Sequence, residues 1–185
     1  MSNLYTSDLH FGHSNVIAFD HRPFADREEM EQVLIHLWNE RVQKDDDVWI
    51  LGDFCYRSNK DPVNYLRKLK GRKHLIIGNH DTKLLQNERA LAYFESVEKM
   101  QHIQDTYQGE TIQVCLCHFP IMEWSAYHHG SWHVYGHIHN RKDETYEFMK
   151  TRKHALNAGC MINNYTPASF QELVENNARF QQIGQ

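Results

Sequence analysis

Short apolar runs alternate with helix-like stretches in the first half of the chain, and this alternation is what most limits the possible folds. Residues 4–7, 48–51 and 75–77 each form a β-prone run, and amphipathic stretches lie between them. Strands that alternate with helices are joined by crossover connections and pair mostly in parallel. The pattern therefore predicts an α/β fold in which the ends of these three strands lie at one edge of a sheet.

Helices are expected in the intervals between the strands. The first begins near Asp26 and Glu29, which can cap it, and a second opens at Asp61 and Pro62 and ends at Gly71. The first helix carries an apolar stripe at helical spacing, which faces the sheet and consists of Met30, Val33, Leu34, Leu37, Trp38 and Val42.

The second half of the chain predicts fewer helices and more antiparallel structure. We expect a helix over 82–94, an antiparallel hairpin formed by 97–103 and 111–117, strands at 132–135 and 154–157, and a hairpin or loop at 141–153. Ser169 and Glu172 have the spacing of a capping box and predict a C-terminal helix.

Length and composition indicate one core in a reducing compartment. The 185 residues, 41% of them hydrophobic, contain no linker or repeat, so we expect a single domain over residues 1–185. A net charge of −4 argues against general adhesion to duplex nucleic acid, although it leaves room for a local basic groove. The sequence shows no signal-peptide core and no membrane span, and we expect a cytoplasmic protein. Buried free thiols, without a CxxC pair, are expected at Cys55, Cys115, Cys117 and Cys160.

Side chains able to bind metal follow five of the predicted strands. They are Asp8 and His10, then Asp53, then Asn79 with His80 and Asp81, then His118, then His137 and His139. Oxygen and imidazole ligands without a thiolate suit divalent zinc, manganese, iron or nickel better than a structural zinc cage. Taken one at a time, each of these short motifs is equally compatible with an ordinary turn.

Asp53 is the residue that divides this set. The candidate ligands are too many for one ion, and a bridging Asp53 gives two sites. The first site would consist of Asp8, His10, Asp53 and His139, and the second of Asp53, Asn79, His118 and His137.

The ordered motifs closely resemble those of the calcineurin-like metallophosphoesterases. The resemblance runs from residue 8 to about residue 159, and every ligand position of that family is filled. It implies a four-layered α/β sandwich with two mixed β-sheets flanked by helices, and two divalent metal ions per chain (manganese, iron, zinc or nickel). The sequence at 22–24 and the ending over 157–167 look like those of the compact bacterial and phage members, which carry no added domain.

The resemblance also implies an activity, the hydrolysis of a phosphodiester by a hydroxide that bridges the two metal ions. His80 would act as general acid or phosphate-stabilising donor, and Asp81 would orient its imidazole. Substrate binding is expected from Arg22, Asn79 and His80. The guanidinium of Arg22 can reach a phosphate oxygen, and an ordinary surface arginine in a loop is the equal alternative. The expected partner is a small phosphate ester or nucleotide, or a short nucleic acid, and no membrane. A phosphomonoesterase, a nuclease with the same metal centre and a non-catalytic scaffold of the same fold stay open as alternatives.

Overall fold

The computed structural model describes residues 2–183 and contains two four-stranded sheets. The first sheet has the order β1-β2-β3-β4, and its strands are Asn3–Thr6, Asp47–Ile50, Arg72–Ile76 and Phe94–Glu98. The second has the order β5-β6-β7-β8, with strands Met100–Tyr107, Glu110–Cys117, Trp132–Tyr135 and Ala155–Asn157. In the described part of the chain, no helix is long and apolar enough to cross a bilayer.

Seven α-helices accompany the sheets within residues 2–183. They are α1 (Asn15–Phe19), α2 (Arg27–Arg41), α3 (Val63–Leu66), α4 (Thr82–Leu85), α5 (Glu88–Leu91), α6 (Glu144–Lys150) and α7 (Phe170–Gln182). The predicted caps of the two longest are confirmed: Asp26 accepts from the backbone of Glu29, and Ser169 with Glu172 forms a capping box.

The strand residues alternate between two cores, which makes the molecule a layered sandwich. Leu4, Val48 and Ile50 pack against α2, whereas their neighbours Tyr5 and Trp49 face the second sheet. The other face of the second sheet packs against α6 through Tyr135, Tyr146 and Met149. The order of layers is helix, sheet, sheet, helix, as predicted for the fold class.

Four details of the sequence interpretation are wrong. The first sheet is entirely parallel and only the second is mixed. The segment expected to be one strand over 97–103 is cut at Lys99 into β4 and β5, which belong to different sheets. Helix 82–94 is replaced by the short α4 and α5, and the 141–153 segment contains α6 instead of a hairpin or loop.

Candidate metal centre

The carboxyl ends of five strands meet at one rim of the sandwich. β1, β2 and β3 of the first sheet lead into Asp8, Asp53 and Asn79, and β6 and β7 of the second lead into His118 and His137. Parallel strands bring their ends to the same edge, which is why residues far apart in sequence become neighbours here. All seven predicted ligands lie in this one region.

The first group consists of Asp8, His10, Asp53 and His139, and each offers one ligand atom within 4.8 Å of the others. The Nε2 atoms of His10 and His139 are 3.2 Å apart, and Nε2 of His139 is 3.5 Å from Oδ1 of Asp8. Asp8, His10 and Asp53 are buried, so the carboxylates are removed from water. Buried anions of this kind are found paired or bound to metal.

The second group surrounds the side-chain oxygen of Asn79. Nε2 of His118 and Nδ1 of His137 each lie 2.9 Å from that oxygen. Asp53 joins the two groups, because its Oδ2 is 3.6 Å from Nε2 of His10 and 3.7 Å from Nε2 of His118. The other oxygen of Asp53 accepts the backbone N–H of His80 at 2.8 Å, which fixes the carboxylate between the groups.

The hydrogen-bond partner of His118 orients its ring so that this donor set fits a cation. Its Nδ1 lies 2.7 Å from the carbonyl oxygen of Leu51, and because a carbonyl can only accept, Nδ1 carries the hydrogen. With Nδ1 as the donor, Nε2 is the ring nitrogen that faces the oxygens of Asn79 and Asp53. Imidazole nitrogens and side-chain oxygens converge there, and these are atom types that bind metal ions in proteins.

His139 is held in the same tautomer by a carboxylate outside the ligand set. Its Nδ1 donates to Oδ1 of Asp20 at 2.8 Å, and Nε2 is left to face the first group. Burial opposes protonation, but the hydrogen bond to Asp20 and the charge of Asp8 outweigh it and raise the pKa of His139. A cation at Nε2 therefore competes with a proton.

Arg22 supports this carboxylate and does not face a substrate, so its predicted role in phosphate binding is wrong. Its guanidinium donates twice to Asp20 and also to the carbonyl oxygens of Asp8 and Leu9, and the side chain is fully buried. The loop that leads to Pro23 turns the guanidinium inward, where its fifth N–H faces Sδ of Met30 at 3.8 Å. Arg22 therefore fixes the position of Asp20 and of the backbone that carries Asp8.

Burial also shifts the pKa values of other candidate ligands. Burial, with His139 nearby, holds the pKa of His10 well below its usual value, and burial beside His118 lowers the pKa of His137. Burial raises the pKa of the Asp8 carboxyl. Neutral imidazole is the form that binds metal, so the low pKa values favour ligation at His10 and His137.

The backbone of the site is strained at most of the ligands. Five of the seven have a φ in the left-handed region, from 53° at His10 to 70° at His137. Such a conformation costs on the order of 1–3 kcal/mol in a residue other than glycine, and it clusters at functional sites. Close packing also requires glycine beside the ligands, because a Cβ on Gly136 would lie 1.8 Å from Oγ of Ser7 and one on Gly52 would lie 2.4 Å from Nδ1 of His118.

His80 lies at the rim, but Asp81 does not contact its imidazole, and the predicted orienting role of Asp81 is wrong. The Asp81 carboxylate accepts three backbone N–H groups, from Asp53, Phe54 and Gly78, at 2.8 to 2.9 Å. Both oxygens are therefore occupied in holding two ligand-bearing turns together. The half-buried His80 ring instead packs on Tyr56, with ring centroids 4.0 Å apart.

Two supporting residues were missed in the sequence. Asp20 follows α1 without any motif, and Asn157 donates to the carbonyl oxygen of His139 at 2.8 Å. The contact between Asp20 and His139 joins residues 119 positions apart, and no local pattern indicates it. Asn157 ends β8, a position that offered the same signal as the other strand ends.

Comparison with known proteins places the chain in a family whose named members carry no assigned activity. No protein-family model matches it. It is 32% identical over 171 residues to the uncharacterized protein MJ1445 of Methanocaldococcus jannaschii, which covers 91% of this chain and 87% of that protein. The gene 66 protein of Mycobacterium phage L5 is 35% identical over 165 residues, covering 76% of this chain and 79% of the phage protein. The chain belongs to the family of these proteins.

A solved structure from Aquifex aeolicus shows the same fold. The protein of unknown function AQ665 from Aquifex aeolicus matches with a TM-score of 0.68 at 24% identity, covering 94% of this chain and 97% of that one. A nuclease, MPE of Pseudomonas putida, matches with a TM-score of only 0.46 at 21% identity, covering 74% of this chain and 60% of that one, and carries no functional argument.

Proposed function

We propose that this protein is a calcineurin-like metallophosphoesterase that hydrolyses a phosphodiester with two divalent cations. The observation that supports the proposal most is the position of Asp53, whose Oδ2 lies between His10 of one ligand group and His118 of the other, at 3.6 and 3.7 Å. A carboxylate shared by two groups of oxygen and imidazole ligands is suited to a pair of cations about 3.5–4 Å apart. The first ion would be held by Asp8, His10, Asp53 and His139, and the second by Asp53, Asn79, His118 and His137.

Each residue of the site then has a definite task. When bound, the cations would supply Lewis acidity to the phosphoryl group and a water activated for attack. Asp8 is held for ligation by Ser7, whose hydroxyl donates to it at 2.7 Å, and by the backbone N–H of His137. His80, at the open rim, donates a proton to the leaving oxygen, and Asn79 beside it binds a phosphate oxygen as well as the second ion.

Metal content and turnover test this proposal together. The purified protein is expected to bind about two divalent ions per chain and to hydrolyse bis(p-nitrophenyl) phosphate with manganese or nickel. Asp53→Asn should lose both ions and the turnover, whereas Asp45→Asn, at an exposed position in the turn before β2, should keep both. At most one weakly held ion, with no turnover of either a diester or a monoester, would reject the proposal. Faster turnover of p-nitrophenyl phosphate than of the diester would replace it with a phosphomonoesterase.

A further inference from the structure

A cavity of about 410 Å³ opens beside His80 and continues the metal centre. Asn79 and His80 belong to its wall, so a group bonded to a phosphate at the metal centre would extend into it. Its volume lies within the range of about 300–1,000 Å³ that small-ligand sites have. The remaining wall comes from the segment 55–62 after β2 and from the start of α4.

The wall of this cavity is positively charged, in a chain whose net charge is −4. It contains Arg57, Lys60 and Lys83 and no carboxylate. Lys60 is paired with Glu31, but within residues 2–183 no ion pair occupies Arg57 or Lys83. Two exposed cations therefore face the space that follows the leaving oxygen, which is suited to an anionic group.

Arg57 contacts the ring that also packs on His80. Its guanidinium carbon lies 5.1 Å from the centroid of the Tyr56 ring, in cation–π contact. The Tyr56 ring in turn packs on His80, which lies at the rim of the metal centre. Arg57 has a left-handed φ of 51°. The segment that carries Arg57 is anchored to the turn after β1, because the backbone N–H of Tyr56 donates to the carbonyl oxygen of Phe11 at 3.1 Å. The guanidinium of an arginine in this position is suited to bidentate binding of phosphate.

We infer that the leaving group of the substrate carries a second phosphate, which Arg57 and Lys83 bind, as in a nucleic acid strand or an end-phosphorylated dinucleotide. This inference rests on the proposed function and names the substrate class of the same site. Hydrolysis breaks the bond between phosphorus and the leaving oxygen, water supplies the new oxygen on phosphorus, and the leaving oxygen takes the proton of His80. The adjacent phosphate of the released strand stays bound at Arg57 during the cleavage. Arg57 is thus a specificity-determining residue.

Dithymidine phosphates give a direct kinetic test, because they can be compared with and without a terminal phosphate. The wild-type protein with manganese should hydrolyse either the 5′- or the 3′-phosphorylated dinucleotide with a kcat/KM about 10-fold above that of the unphosphorylated one, the gain expected from one charge-assisted contact. Arg57→Gln should abolish that preference. Arg67→Gln, an equal change of charge on the exposed end of α3, should leave it unchanged. Tyr56→Leu should reduce the preference, and Tyr56→Phe should retain it.

A binding measurement separates this inference from the proposed function. Thymidine 3′,5′-bisphosphate is titrated calorimetrically into the protein treated with EDTA, where no turnover occurs. Arg57→Gln should weaken binding about 10-fold, and Arg67→Gln should not. The inference alone would be overturned if the protein hydrolysed bis(p-nitrophenyl) phosphate but a terminal phosphate did not change its kcat/KM on the dinucleotides. Equal bisphosphate affinities of the Arg57→Gln and Arg67→Gln variants would overturn it as well. Absence of all diester turnover would reject the proposed function, and the bisphosphate titration would still decide whether Arg57 binds phosphate.

Discussion

His139 donates its Nδ1 hydrogen to Oδ1 of Asp20 across 2.8 Å, and the same carboxylate accepts two hydrogen bonds from the buried guanidinium of Arg22. Neither Asp20 nor Arg22 offers an atom to the candidate metal group, yet they decide which nitrogen of His139 faces it. A carboxylate that fixes a ligating imidazole also increases its basicity.

Asp20→Asn is therefore expected to weaken metal binding at the first site while the protein stays folded. The amide keeps the volume and one acceptor oxygen but loses the charge, and a 10- to 100-fold loss of affinity is the usual size of such an effect. Competition titration of Mn²⁺ against a chelator measures it. Asp45→Asn is the matched control, and equal affinities for the two variants would show that Asp20 has no influence on the metal.

Asp81→Asn is expected to act on stability. The Asp81 carboxylate accepts three backbone hydrogen bonds, and an asparagine would turn an N–H₂ toward at least one of these donors. A buried donor left without an acceptor, together with the lost charge, should lower the free energy of unfolding by about 3 kcal/mol. Urea denaturation with EDTA present measures this without any contribution from metal. Unchanged stability with an altered pH–rate profile would restore the role of Asp81 as the residue that orients His80.

The metal ligands could be proposed from the sequence because each follows an apolar run and has a side chain that suits one kind of chemistry. Order along the chain and strand direction then bring these ends together, as the fold shows. The roles of Arg22 and Asp81 could not be read in the same way. A sequence names the side chain but not the backbone groups that it meets after folding. Arg22 binds two backbone carbonyls besides Asp20, and Asp81 binds three backbone N–H groups.

The errors in secondary structure have a similar origin. β4 and β5 are separated only by Lys99, so one continuous β-prone stretch hides the passage from one sheet to the other. α6 has only Tyr146 and Met149 buried, which is too few apolar positions to define a helical stripe, and its Asp143 cap was the one local signal. These features depend on which sheet a segment joins, and that is decided by tertiary packing.

His80→Ala is expected to retain the metal ions and lose turnover. The His80 imidazole lies at the rim, where its ring packs near that of His10 with centroids 5.5 Å apart, and its backbone N–H donates to another candidate ligand, Asp53. Loss of a general acid typically costs about 10²–10⁴-fold, most for leaving groups of high pKa. Rates measured over a series of aryl phosphodiesters should therefore become more dependent on leaving-group pKa. His36→Ala, exposed on α2, is the control; loss of metal in His80→Ala would instead make His80 a ligand.

A histidine remote from the metal centre should make the protein sensitive to acid. His133 is fully buried in β7, where Nδ1 donates to the carbonyl of Cys115 at 3.1 Å and Nε2 accepts from the N–H of Ile121 at 3.3 Å. Burial lowers the pKa of His133 from 6.5 to about 4. A proton at Nε2 would also face the N–H of Ile121, so the native site favours the neutral ring.

Since the unfolded chain binds this proton below about pH 6.5 and the native chain does so only near pH 4, the contribution of His133 to stability is present at neutral pH and is lost as pH falls through that window. Between pH 7 and pH 4.5 the loss should be about 2–3 kcal/mol. Urea denaturation of wild type and His133→Gln in EDTA measures it, since glutamine can still donate and accept but does not titrate. Between these two pH values, the free energy of unfolding of His133→Gln should fall less than that of wild type, and the difference should equal the contribution of His133. The control His102→Gln, exposed on β5, should behave as wild type. Parallel pH profiles for wild type and His133→Gln would show that His133 is protonated in the native protein as readily as in the unfolded chain.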